Sequence, residues 1–117
     1  MQYASALLGF VMQIHVHHWL TTSFSQHKTL GDLYDGIHDL TDSFMESYMG
    51  KYGRNMPVGS ASIVNYNTAS VNETLSAFEV FLISLTDELQ PTDTDLLNIR
   101  DEMLHLVHSA QYFLTLN

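Results

Sequence analysis

Between residues 71 and 89 the apolar side chains fall at Val71, Leu75, Phe78, Leu82, Leu85 and Leu89, in alternating steps of four and three. That spacing lines one face of an α-helix, whereas a half-buried strand needs alternation by two. The same period recurs at Leu30, Leu33, Ile37, Leu40, Phe44 and Tyr48, and again at Leu96, Ile99, Met103, Val107, Ala110 and Leu114. Residues 2–22 are helical in composition and nearly uncharged. On a helical wheel Leu7, Val11, Ile14 and His18 form one stripe there, and Leu8, Met12, His15 and Trp19 form the next. Phe10, Val16 and Leu20 occupy much of the remaining side. A helix apolar nearly all round is buried on more than one face. With few other helices to cover it, its second face is expected to meet another subunit, which makes the chain a homo-oligomer.

The breaks between these segments set the topology. Thr21 to Gln26 is a short, uncharged, Ser/Thr-rich link, so the second helix should run antiparallel to the first. Gly50 and Gly53 are expected to end the second helix, and Pro91 the third, with Thr92 to Asp95 capping the fourth. Lys51 to Ala69 is irregular, with Ile63, Val64 and Tyr66 available to pack it down as a short helical turn. Fully extended, such a stretch reaches ~60 Å, enough to run the length of a bundle. The expectation is an all-α, single domain over residues 1–117, with helices near 2–22, 28–49, 71–89 and 95–115. Joined short, long, short, they have the connectivity of a ferritin-like four-helix bundle with a long crossover between helices two and three.

Composition narrows the partners. The 117 residues carry four basic and thirteen acidic side chains, a formal net charge of −9, and no cysteine. Disulfides, thiolate metal sites and cysteine nucleophiles are excluded. Nucleic acid and anionic lipid are disfavoured, since binding either needs Lys or Arg to replace counterions. The apolar run Ala4 to Val16 is too short to span a bilayer, no Lys or Arg precedes it, and His15, His17 and His18 close it. A cytoplasmic location away from membranes is expected.

Chemistry concentrates between His15 and Glu46, which hold five of the seven histidines. Asp42 and Glu46 stand one helical turn apart and can face one cation together. His18 from the antiparallel neighbour would add nitrogen, a donor set suited to iron, manganese or zinc. The plainer reading makes Asp39, Asp42 and Glu46 a solvated face, the commoner fate of acids at this spacing. His15 reads as a hydrogen-bonded core histidine before it reads as a ligand. His17 points away from that stripe, to solvent or to a subunit contact. His38, beside Asp35 and Asp42, is either a ligand or an ion-pair partner. Trp19 reads as packing. Glu102 and His105 match a Glu-x-x-His metal motif, but the core stripe through Met103 and Val107 turns His105 and His108 outward.

At these residues the chain resembles the miniferritins, the DNA-protection-during-starvation branch of the ferritin superfamily. The resemblance rests on His18-Trp19 at the end of the first helix. It rests also on a second helix beginning at His27, with an aromatic, Tyr34, seven residues on, Asp42 fifteen on and Glu46 nineteen on. The tract Asp95 to Leu114 is similar to that family's last helix. What the resemblance implies is Fe(II) binding and oxidation at a site between two subunits, one giving His18, Asp42 and Glu46 and the other His27. His15, Asp35 and His38 are further candidate ligands, and zinc or manganese are alternatives to iron. The acid that the family places four residues after His27 is Gly31 here, and no basic tail suits DNA compaction. The tract from His27-Lys28-Thr29-Leu30-Gly31 to Gly50-Lys51-Tyr52-Gly53 also looks like a small group of bacteriophage proteins. That implies a location in the host cell or in the virion, and an alternative function: a non-enzymatic ferritin-like structural or host-interaction protein that has lost the metal chemistry.

Overall fold

The computed structural model describes residues 2–66 and 70–116. Among them are four helices and no strand: α1 (Tyr3–Leu20), α2 (Phe24–Tyr52), α3 (Val71–Glu88) and α4 (Thr94–Phe113). Helix α1 packs against α2 and α3, and α4 packs against the same two from the other side. The result is a four-helix bundle around one core. Leu7, Val11 and Ile14 meet Leu30, Leu33, Ile37 and Phe44 there, with Leu75, Phe78, Leu82 and Leu85 from α3 and Leu96, Met103 and Val107 from α4. The helical period read from the sequence therefore locates the core, with Leu40, Tyr48, Ile99 and Leu114 packed at its margin.

Helix boundaries differ from the expected ones in instructive places. Helix α2 starts at Phe24 because Ser23 accepts the Gln26 amide on its hydroxyl at 3.3 Å, satisfying an otherwise orphan N–H. It also runs through Gly50 and stops at Gly53, whose φ of +86° closes the helix with its N–H on the Met49 carbonyl. A single helical glycine costs only about 1 kcal/mol relative to alanine, which neighbouring packing readily offsets. Ser70 and Glu73 form the start of α3, with the Glu73 amide on the Ser70 hydroxyl at 3.1 Å.

The stretch after Gly53 lies along α1. The Ser5 amide donates to the Val58 carbonyl at 3.1 Å, Ala61 rests over Gly9, and Val64 is held by Gln13 in both directions at 2.9 and 3.0 Å. Tyr66 then meets His17 edge-on. Ser5, Gly9, Gln13 and His17 recur every fourth residue, so α1 has a second buried ridge covered by its own chain. No helical turn forms at Ile63 to Tyr66 among the described residues, and the part of the irregular stretch at 67–69 lies outside them. No helix among the described residues is long and apolar enough to cross a membrane.

Candidate functional site

The antiparallel turn between α1 and α2 brings His18 and His27 together. Their rings stack at 3.9 Å between centroids, 15° from parallel. Nδ1 of His18 lies 2.6 Å from the His27 carbonyl oxygen, and Nδ1 of His27 lies 2.7 Å from the His18 carbonyl oxygen. A carbonyl can only accept, so both Nδ1 atoms carry hydrogen and donate. In the neutral tautomer each Nε2 then holds the lone pair that a metal takes, and the carbonyl fixes the ring's orientation.

Gly31 makes this arrangement possible. A Cβ at that position would stand 2.8 Å from Cε1 of His18 and 3.1 Å from its Nδ1. The imidazole therefore occupies space that any side chain on this turn of α2 would fill.

Further along the same seam His15 lies between two rings, 4.0 Å from Tyr34 and 4.1 Å from Trp19. Tyr34 continues to His38 at 5.8 Å. His15 is half-buried in this stack with no hydrogen bond among the described residues, so the expected hydrogen-bonded core histidine is not what forms. Burial, then the neighbouring His18, hold its imidazole below the ordinary value, against the opposite pull of Asp35. Trp19 packs on His15 yet stays 64% exposed, so it covers the stack more than it is covered.

The carboxylates are strung along α2: Asp32 and Asp35 line the same hollow as His18 and His27, and Asp39, Asp42 and Glu46 lie beyond it. Asp35, His38, Asp39, Asp42 and Glu46 are all exposed. Asp42 is fifteen residues beyond His27 and eleven beyond Gly31, which at 1.5 Å per residue is about 22 Å and 16 Å along α2. His18 and His27 thus belong together in one chain, and Asp42 and Glu46 stand apart from both. This regroups the expected division, in which His18 joined the two acids and His27 came from a partner. No three His, Asp or Glu side chains among the described residues gather closely enough within one chain to hold a metal ion. His27, Gly31, Asp35, His38, Asp42 and Glu46 nevertheless share one outward face of α2, since each lies within about 60° of Asp42 on the wheel.

Three buried polar residues, His17, Asp93 and Arg100, lie where the sequence carries no signal for them. His17, expected at the surface, is fully enclosed: Nε2 is 2.8 Å from the Thr74 hydroxyl and Nδ1 has no partner. At the other end of the bundle Asp93 is buried and accepts from Lys51, from the Tyr52 hydroxyl at 2.5 Å and from the Gln90 amide at 2.9 Å. The Lys51 and Tyr52 bonds hold its carboxyl down to about 2. Arg100, also buried, reaches across to the Leu82 carbonyl and the Thr86 hydroxyl, both at 2.9 Å, and ties α4 to α3. Glu102 and His105 are exposed on α4, outside the core as the stripe implied, and His108 pairs with Glu79 at 3.1 Å.

No curated protein and no solved structure matches this chain. The sequence model of one family matches residues 18–114, a span that takes in His18, His27, Gly31, Asp42 and Glu46 and three of the four helices. The chain belongs to that family, the family of unknown function DUF5856.

Proposed function

We infer that the chain is a miniferritin-like protein that binds Fe(II) and oxidises it at a site shared by two copies. In this reading His18 and His27 of one copy face Asp42 and Glu46 of another, and the stretch along α1 is the long crossover of a ferritin-like bundle. The observation that carries it is the reciprocal pair of Nδ1–H bonds, which prepares two Nε2 donors at the edge of a carboxylate-bearing face. A mixed nitrogen and oxygen set suits iron, with zinc and manganese as alternatives. The separation of the two halves along α2 supports sharing between chains, because an antiparallel second α2 with its two-fold axis level with Asp35 to His38 would oppose them. Each Fe(II) gives up one electron. Two together reduce one peroxide, whose O–O bond breaks, and two protons complete two waters. The acidic face concentrates the cation.

Anaerobic Fe(II) titration followed by addition of peroxide tests this. Stoichiometric uptake and rapid oxidation are expected in the parent chain, with both lost in the Asp42→Ala/Glu46→Ala variant and in His18→Ala. Retention of uptake and oxidation by the double variant would dispose of the reading. Among the described residues no three ligands gather within one chain, and a second reading starts from that: a ferritin-like bundle with a structural or host-interaction role and no metal chemistry. It predicts no stoichiometric metal after growth in metal-replete medium, and unchanged assembly when the acids are removed.

A further inference from the structure

Helices α1 and α3 meet through Phe10 on Phe78 and His17 on Thr74 but leave a groove on their outer side. Between them lies a cleft of about 720 Å³, walled by Gly9, Phe10 and Gln13 on one side and by Glu73, Ala77 and Phe81 on the other, with Ser60 to Ser62 along its rim. This size is in the usual range of small-molecule sites, about 300–1,000 Å³. The cleft lies on the side of α1 away from Met12 and Trp19, so it is independent of the histidine face.

The walls say what could enter. Phe10 and Phe81 give an aromatic surface, their centroids 5.8 Å apart. Most polar groups are already committed: Gln13 exchanges hydrogen bonds with Val64, the Thr74 hydroxyl faces His17, and the Ser5 hydroxyl donates to the Gln2 carbonyl. Glu73 is different. Its amide donates to the Ser70 hydroxyl that caps α3, but its carboxylate is exposed and has no ion pair or side-chain hydrogen bond among the described residues. No Lys, Arg or His lines the cleft.

We propose that this cleft binds a small amphipathic cation, an aryl- or alkylammonium, with its apolar body laid against the touching rings of Phe10 and Phe81 and its ammonium on Glu73. A matched anion would bury the same carbon surface but meet the Glu73 carboxylate.

The test is an amide NMR titration of the full chain with 2-phenylethylammonium, and separately with 3-phenylpropionate. Saturable shifts at Gly9, Ala77 and their neighbours are expected with the cation, and binding of the anion about fivefold or more weaker, the size of an exposed ion pair. Glu73→Gln should bring the two probes to parity, and Ala77→Leu, which extends a side chain into the cleft, should abolish both. No saturable shift with the cation, or a preference that survives Glu73→Gln, would overturn the proposal. So would binding that Ala77→Leu leaves intact. If Ala77→Leu does not fold, the Glu73→Gln comparison decides alone, since that side chain is exposed and carries no packing.

Discussion

His17 and Asp93 are the residues whose charge the fold constrains most, and they do so in opposite ways. Burial alone pushes the His17 imidazole below its ordinary value of 6.5, because the enclosed ring has no counter-charge. The unfolded chain therefore takes up the proton first as pH falls. Stability is unaffected by this group above about pH 7 and drops below 6.5, with a limiting slope of about 1.4 kcal/mol per pH unit. For Asp93 the sign is reversed in origin but acts in the same direction. Its stabilisation is complete above the ordinary 3.8 and is lost as pH falls toward about 2. Urea midpoints measured from pH 8 to pH 2.5 should thus fall in two stages, the first reduced in His17→Leu to the part that His15 contributes and the second reduced in Asp93→Asn. A midpoint level from pH 7 down to 5.5 would contradict the enclosure of His17. Neither role was legible in the sequence. On a helix apolar nearly all round, one histidine has no phase to betray which side is covered. The ridge of Ser5, Gly9 and Gln13 reads as polar interruptions until a strand of backbone is laid over it.

At the level of elements, the core stripes were legible because period and burial are the same fact seen twice. Every apolar position read on α3 is buried. Terminations were less so, and the glycines show why. Gly50 and Gly53 look alike in the sequence, but only Gly53 adopts the positive φ that other residues resist. Gly31 departs from the pattern of the resembled family, and its reason is tertiary: the ring of His18 sits where its side chain would be. Two substitutions separate these cases. Gly50→Ala, with nothing within 4 Å of the new Cβ, should raise stability by roughly 0.5–1 kcal/mol through helix propensity. Gly31→Ala gains the same propensity but must displace His18. Its net effect on stability should be smaller or reversed, and the His18 and His27 ring resonances should both move. If Gly31→Ala stabilised as much as Gly50→Ala and left those resonances in place, the close packing of the histidine pair on α2 would be refuted.

Over the whole molecule, charge and exposed apolar surface are distributed unevenly on the outer face of α1 and α2. His15, His18, His27 and Lys28 occupy the end at the α1–α2 turn, with Asp32 and Asp35 among them, while Asp39, Asp42 and Glu46 occupy the other half of α2 with no Lys or Arg beside them before Lys51. Beside them Leu8 and Met12 are 43% and 37% exposed, on the same stripe of α1 as Trp19. One copy turned end for end would set the nitrogen-bearing half against the acidic half twice, by symmetry, and cover the apolar stripe in the same step. The sequence anticipated a subunit contact on α1 from its all-round apolarity, although part of that apolarity is taken by the chain's own segment after Gly53. The stripe that remains uncovered is the one through Leu8, Met12 and Trp19. Self-association across it should strengthen with Fe(II) or Zn(II), weaken with chelator, and weaken with salt to the extent that exposed charges contribute. Leu8→Glu/Met12→Glu puts charge on the uncovered apolar stripe, where a contact would have to strip it of water, and should leave a folded monomer under the same conditions. Native mass measurement of the parent and this variant, each with metal and with chelator, reads all of these at once. A parent chain that stays monomeric at about 100 μM with metal present would remove the second copy, and a site divided along 16 to 22 Å of one helix has no other way to close.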